Sequence, residues 1–389
     1  MNICLLTASF LPLVGGREFV VHNLATALSQ LGHNVFVLTS FRKGLRFEGN
    51  VNYTLLHPGF QGMYSLKLTV PVMVASLAVI SRKYKIDVIN VHEVFRSGTW
   101  TYFFRRIFKN IPVVGTPHGD DIQMFPELNY GVRLYPESDR IVRRNVKDFL
   151  ITTSISPSIH HHIREILGYE ETIRGVPNGI WTSSFDGTAD RIKVREEYGI
   201  PQDSVALISV GRNHPKKGFL LAVEALAKLA NGKNKVSYVL VGRNMAPLVS
   251  AAESLGVSDL LFTPGQVNSD EISKLYQACD IYVSPSYVES FGLTTIEAMS
   301  AGLPCVVSNV EGNRDLVARE WGDFFEVGDF QGLTDALRRM MENPAMLKSK
   351  GERARLEAKQ YDWLKIAEMY VSVYSEAIEL IQYKSPIEK

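Results

Sequence analysis

Cysteine is scarce in this sequence: Cys4, Cys279 and Cys305 are the three present in 389 residues. So few, so far apart, exclude a disulfide framework and a cysteine-based zinc site. Each lies in or beside an apolar run, which reads as a buried free thiol in a reducing compartment. Charge of one sign is also missing. Lys and Arg total 42, Asp and Glu total 41, and the formal net charge is +1. That excludes the basic footprint of a protein that wraps nucleic acid, so no nucleic-acid partner is expected. A membrane-length apolar run is lacking as well. The most apolar window, Leu68 to Ile80, is bracketed by Lys67 and Arg82 and falls short of the roughly 20 residues a span needs. The opening run Met1 to Leu6 has no basic segment before it and reads as a strand, not a signal peptide. Two familiar ligand motifs are absent too: a GxGxxG dinucleotide fingerprint and a spaced DxD pair.

What is present is an ordinary globular balance, with 46% hydrophobic and 21% charged residues. The length favours two domains. Asn2 to Ser9 is a short apolar run, followed by a Pro- and Gly-containing turn from Leu11 to Gly16. Phe19, Val20, Leu24, Ala25, Ala27 and Leu28 then recur at helical spacing up to Gly32. This strand–turn–helix unit is the start of a doubly wound sheet. The alternation continues with strands near 52–56, 87–91, 112–117 and 150–153, and helices near 65–84, 96–109, 138–147 and 157–167. Turn residues crowd Arg174 to Asp190. A second series follows, with strands at 205–210, 236–241, 259–262, 280–284 and 304–308. Its helices fit 217–230, 247–255, 270–278, 293–301 and 331–341. The tail reads helical in two pieces, interrupted at Asp362-Trp363, and Ala367, Tyr370, Val371, Tyr374 and Ile378 share one face of the second piece.

In open α/β sheets ligands bind beyond the carboxyl ends of strands, so residues just after strands are the candidates. Gly15-Gly16 precede a helix whose N-terminus offers free N–H groups to an anion; an ordinary tight turn is the competing reading. His118-Gly119 follow an apolar strand, where His118 is either a ligand contact or a structural histidine. His160-His161-His162 are consecutive on a helix and point apart, so no metal site is expected there. Gly211-Arg212 with Lys217-Gly218 put a guanidinium fork and an ammonium beside one strand exit, suited to a diphosphate; a solvated basic turn is the competing reading. Glu289 to Met299 is the strongest stretch. Phe291, Gly292 and Leu293 open a helix between the Glu289 and Glu297 carboxylates, so a phosphate on the N–H groups and a ribose on Glu297 would be neighbours; a helix cap with one buried and one solvated carboxylate is the competing reading.

Together these residues resemble glycosyltransferase family 4 of the GT-B superfamily, over essentially the whole chain. Glu289 to Pro304 resembles that family's E-x7-E motif with its Phe-Gly and its Glu-Ala-Met-x-x-Gly-x-Pro ending. Arg212 and Lys217 resemble its basic phosphate-binding pair, Gly15 to Glu18 its N-terminal glycine loop, and His118-Gly119 its acceptor-side histidine segment. The resemblance implies an α/β GT-B fold, two Rossmann-like domains facing across a deep cleft. Residues 1–176 would form the acceptor side, joined by a returning helix over 364–389, and 177–363 the donor side. It implies retaining transfer of a hexosyl-type sugar from a UDP- or GDP-sugar to a hydroxyl, with no essential metal and no bound cofactor. His118, Glu289, Arg212 and Lys217 would carry the chemistry. Gly15, Gly16, Gly211, Arg212, Lys217, Arg243, Gln266, Val267, Phe291, Gly292, Leu293 and Glu297 would bind the donor.

The chain departs from the family pattern at Gly242-Arg243-Asn244-Met245, where Gly-x-Gly-Pro is usual, and at Glu311-Gly312-Asn313, where two glycines are. The acceptor is read as a small molecule, a glycan or a lipid-linked sugar. Tyr102 to Lys109 mixes Phe103, Phe104, Ile107 and Phe108 with Arg105, Arg106 and Lys109. It reads either as a sheet-covering helix with a charged outer face or as a patch that lies on an anionic membrane. The expected location is cytoplasmic, with peripheral contact on the inner membrane face if the patch is used, as monomer or homodimer. The competing functions are an epimerase-like GT-B protein and a nucleotide-sugar-binding protein without catalysis.

Overall fold

The computed structural model describes residues 1–13, 15–40, 51–58, 66–185, 187, 189–232 and 235–384. Val14 of the glycine turn, residue 65 at the expected start of a helix, and the last residues of the expected terminal helix, 385–389, lie outside them. The chain divides into two compact units. The first is Met1–Gly179 with Trp363–Lys389, the second Ile180–Asp362.

Among the described residues the first unit holds seven strands: β1 (Asn2–Thr7), β2 (Asn34–Thr39), β3 (Thr54–Leu56), β4 (Val88–His92), β5 (Val113–Thr116), β6 (Ile151–Ser154) and β7 (Ile173–Gly175). They form one parallel sheet in the order β3-β2-β1-β4-β5-β6-β7. The inner strands β4, β5 and β6 are buried along their whole length, as a sheet covered on both faces requires. The described residues of the second unit form six: β8 (Val205–Val210), β9 (Val236–Val241), β10 (Leu261–Gly265), β11 (Ile281–Ser284), β12 (Cys305–Ser308) and β13 (Gly322–Phe325), in the parallel order β10-β9-β8-β11-β12-β13. Each sheet winds outward from its first strand and then reverses. The switch points therefore fall between β1 and β4 and between β8 and β11, where ligand crevices open beyond the carboxyl ends.

Several elements differ from expectation. The helix read over 96–109 ends at Arg105. The backbone N–H groups of Arg106 and Ile107 turn back to Phe103 and Phe104 in a tighter pattern, before Pro112. Lys217 does not start a helix. It closes a single 3-10 turn, Pro215–Lys217, because Gly218 takes a left-handed φ of 62° and the helix begins at Phe219. Strand β10 starts two residues later than read, since Ser258–Leu260 is a 3-10 turn. Strands β7 and β13 and the helices Arg191–Glu197 and Glu311–Leu316 were not anticipated.

The helix Trp363–Lys384 packs in the first unit against the helix Gly16–Gln30 and beside β4 and β5. Its buried Tyr374 hydroxyl donates to Asn90 Oδ1 at 2.7 Å, and Asn90 Nδ2 donates to Thr116 Oγ1 at 2.9 Å. All three cysteines are buried free thiols, and burial pushes Cys4 and Cys279 up to about 12. Among the described residues no helix is long and apolar enough to cross a membrane.

Candidate functional site

In the second unit the loops that leave the strands are tied edge to edge. The Gly211 N–H donates to the Val241 carbonyl at 2.9 Å, and the Gly242 N–H to the Gly265 carbonyl at 2.8 Å. Gly242 has φ 142°, and a Cβ there would stand 1.9 Å from the Gly211 oxygen, so the approach admits glycine alone. Across the switch point the Tyr287 N–H donates to the Lys216 carbonyl at 2.7 Å. Gly218 completes that seam, since a Cβ on it would lie 2.0 Å from the Pro285 oxygen.

This seam brings together two residues that are 72 positions apart in sequence. Lys217 Nζ donates to Glu289 Oε2 at 2.7 Å, with both side chains mostly shielded. Burial alone would raise the Glu289 carboxyl, but the charges of Lys217 and Lys216 outweigh it and hold the group below its usual range. The Glu289 carbonyl accepts the Gly312 N–H at 3.0 Å, so the first turn of the helix Glu311–Leu316 braces it. Arg212 is exposed on the same turn. Burial first, then Lys216, Arg212 and Lys217, depress the His214 imidazole, which shows one local positive field at the exit of β8.

Gly292, at φ 97°, starts the helix Leu293–Ser300 with no side-chain cap, which leaves the first helical N–H groups open to an anion. One turn on, Glu297 Oε2 accepts from the Tyr276 hydroxyl at 3.0 Å. Burial raises the Glu297 carboxyl to about 7. Tyr282, on β11, pairs its hydroxyl with Thr294 Oγ1 at 2.8 Å and so pins the first turn of that helix. Phe291 is buried against Tyr361. Gln266 and Arg243 are exposed at the exits of β10 and β9, and Val267 is half-buried. Residues 211, 212, 217, 289, 291–293 and 297 thus share the switch-point edge, while 243, 266 and 267 stand along the neighbouring strand ends.

The first unit uses the same edge differently. Gly15 has an extended backbone, φ −155°, so no left-handed turn requires glycine there. It precedes the helix Gly16–Gln30 without a side-chain cap, and Arg17 on the first turn donates to Ser9 Oγ at 2.7 Å. His118, after β5, places Nε2 3.0 Å from Nδ1 of His92, the last residue of β4. Asp121 fixes the turn between them. Its Oδ1 accepts the His118 and Gly119 N–H groups at 2.8 and 3.1 Å, and its Oδ2 the Val94 N–H at 2.8 Å. Burial, with Asp120 and Glu93 nearby, raises the Asp121 carboxyl despite those bonds. Glu93, with φ 89°, accepts the Arg96 and Ser97 N–H groups at 2.7 and 3.1 Å and so starts the helix Arg96–Arg105. His92, Asp121 and Tyr276 were missed as site residues from sequence. The rule of looking past strand ends applies to His92; Tyr276 sits inside a helix and carries no local signal.

Among the described residues no three His, Cys, Asp or Glu side chains gather closely enough to hold a metal ion.

Two parallel-sheet lobes, each with its polar residues at the switch point, define the GT-B fold. Sucrose-phosphate synthase from Thermosynechococcus elongatus superposes with a TM-score of 0.84 at 20% identity, covering 98% of this chain and 100% of that one. The Anabaena Alr3699/HepE structure in complex with UDP-glucose gives 0.79 at 19% identity, over 98% and 100%. A family model for glycosyl transferases group 1 matches residues 190–357, and one for Glycosyltransferase Family 4 matches residues 14–184. Among curated relatives, N-acetyl-alpha-D-glucosaminyl L-malate synthase from Bacillus anthracis is 25% identical over 94% of this chain and 95% of its own. The chain belongs to the GT-B glycosyltransferases related to family 4 and group 1, and is an enzyme of that class.

Proposed function

We propose that the enzyme moves a hexosyl-type sugar from a nucleoside diphosphate sugar to an acceptor hydroxyl, with retention at the anomeric carbon and without a metal. The Lys217–Glu289 pair beside the uncapped start of Leu293–Ser300 carries this reading. Breaking the anomeric C–O bond sends its electron pair to the departing diphosphate. Arg212, Lys217 and the N–H groups of residues 291–293 stabilise that charge where it develops. Glu297 accepts hydroxyls of the ribose, and Glu289 those of the transferred sugar. The acceptor oxygen bonds to the anomeric carbon on the face the phosphate leaves, and its proton passes to a phosphate oxygen. Glu289 is committed to Lys217, which does not suit a carboxylate nucleophile for double displacement. The Alr3699/HepE likeness with UDP-glucose favours uracil over guanine as the base. In the first unit, His118 contacts the reacting sugar, and Gly15-Gly16 offer further N–H groups.

The units as described would give residues 1–179 with the returning helix the acceptor role and 180–362 the donor role. Exposed Phe103 and Ile107 beside exposed Arg106 and Lys109 support peripheral contact with an anionic membrane.

The test is a panel of UDP-, GDP- and ADP-sugars without divalent metal. One UDP-sugar is expected to raise the unfolding temperature and to be hydrolysed slowly. Binding with neither hydrolysis nor transfer to any acceptor would favour a non-catalytic binding protein, and change at a sugar carbon an epimerase. If no nucleotide diphosphate binds, and Lys217→Ala and Glu297→Ala change nothing, the reading is wrong.

A further inference from the structure

The histidine pair in the first unit carries a consequence for how His118 meets a substrate. The two ring centroids are 5.2 Å apart and the rings lie 26° from coplanar, while the facing nitrogens are 3.0 Å apart. The centroid distance exceeds the nitrogen distance by about two ring radii. The rings therefore meet edge to edge, with the nitrogens on the line between them, as an N–H···N hydrogen bond needs.

Both imidazoles are neutral at ordinary pH. Burial, then the charge of Arg17, holds His92 down to about 3. Burial, then His92 and Arg17, holds His118 well below its usual value. Each ring thus carries one proton, and one proton sits between the facing nitrogens. Two arrangements satisfy this. If His118 supplies the shared proton from Nε2, the remaining proton of His92 is on its Nε2. That atom is fully buried and has no hydrogen-bond partner among the described residues. If His92 supplies it from Nδ1, its Nε2 is a bare lone pair, and the proton of His118 is on Nδ1. A buried orphan donor is rarer and costlier than an under-used acceptor, so the second arrangement prevails. His118 Nδ1 has no protein partner among the described residues, and the residue is partly open. Asp121 fixes the backbone of the same residue, so both main chain and ring are held.

We propose that His92 is a positioning residue. Through its Nδ1–H it holds His118 in the tautomer protonated on Nδ1, so that His118 meets substrate as a hydrogen-bond donor and not as a base. The placement of His118 beside substrate rests on the transfer reading above; the tautomer does not.

The first test uses the full-length protein labelled with [15N]histidine, free of substrate, at pH 7.5. The His118 and His92 signals are assigned by their loss in His118→Asn and His92→Asn. Both rings are expected to show a protonated Nδ1 and a bare Nε2. A protonated Nε2 on His118 overturns the proposal, whatever donor the enzyme uses. The second test compares His92→Leu with His92→Asn, whose amide can still donate near the lost Nδ1. In His92→Leu the His118 proton is expected to redistribute toward Nε2, the site neutral histidine prefers in water. With the donor sugar, kcat should fall about tenfold while donor Kd stays within about twofold. His92→Asn should restore the Nδ1 pattern and most of kcat. An unchanged His118 spectrum in His92→Leu, or equal kcat losses in both variants with native His118 spectra, also overturns it.

Discussion

The two switch points share a backbone plan and fill it with opposite chemistry. At the edge between β8 and β11, cations lead: Lys216 and Lys217 flank Glu289 and keep it charged, and Arg212 stands exposed on the same turn. At the edge between β1 and β4, carboxylates lead: Glu18, Glu93 and Asp121 are buried around Arg17 and two neutral imidazoles. The first arrangement is suited to receiving an anion, since a phosphate can take over the ammonium that Glu289 now holds. The second encloses its Arg17 among carboxylates and offers oriented hydrogen bonds instead. A parallel doubly wound sheet specifies where a ligand sits, and side chains alone specify which charge it has.

The sharpest way to break this comparison is to remove the cation. Lys217→Ala is expected to lower kcat by about 100- to 1,000-fold, because the charge it neutralises develops in the transition state. It also leaves Glu289 shielded and unpaired, so the carboxyl should titrate higher and the unfolding temperature should fall. Lys217→Arg keeps the charge and should recover part of the rate. Single-turnover kinetics with saturating donor measure this. A wild-type rate in Lys217→Ala would mean that the positive field at β8 is not where the leaving group sits.

The acidic edge should break at Asp121. Asp121→Asn keeps one oxygen for His118 and Gly119 but turns an amide toward the Val94 N–H, donor against donor. One lost buried bond of this kind costs about 1–3 kcal/mol, so activity should drop by about 10- to 100-fold and the melting temperature by several degrees. Calorimetry and steady-state rates check both. The nucleotide affinity of the second unit should be untouched, which separates this variant from Lys217→Ala.

The legibility of these two edges differs for physical reasons. The fold was readable because inner parallel strands such as Val88–His92 and Val205–Val210 are apolar apart from Asn90, His92 and Ser209, and are separated by helices of 3.6 period. Two of the four edge strands were not: Ile173–Gly175 and Gly322–Phe325 are short and only partly buried, so their sequence looks like loop. The helix read to residue 109 overran because Phe103, Phe104, Ile107 and Phe108 keep an apolar rhythm beyond the point where the hydrogen bonds tighten. Glu289 and Glu297 were readable because their spacing brackets one helix start. The pairing of Glu289 with Lys217 was not, since it depends on a seam that Gly218 permits. His92 ends an apolar strand and resembles a core residue until β5 is laid beside it.

The smallest expected effect concerns the one carboxyl of the cationic edge that the free protein does not hold fully charged. Burial raises Glu297 to about 7, above its ordinary 4.5. Ribose hydroxyls donate best to the ionised form, so bound donor should draw that pKa down. Donor affinity should then rise with pH through about 7, by up to about tenfold between pH 6 and pH 8. The sign for stability is opposite. A carboxyl raised in the fold contributes most below its unfolded pKa, and that contribution is lost as pH climbs through 7. Glu297→Gln, neutral at every pH, should therefore bind donor weakly with no pH slope, yet match or exceed the wild-type melting temperature at pH 8. Titration calorimetry at pH 6, 7 and 8, with parallel melting curves, reads both. A wild-type slope that falls with pH, or a slope kept in Glu297→Gln, would remove Glu297 from the donor site and leave Tyr276 and Glu297 as a structural pair.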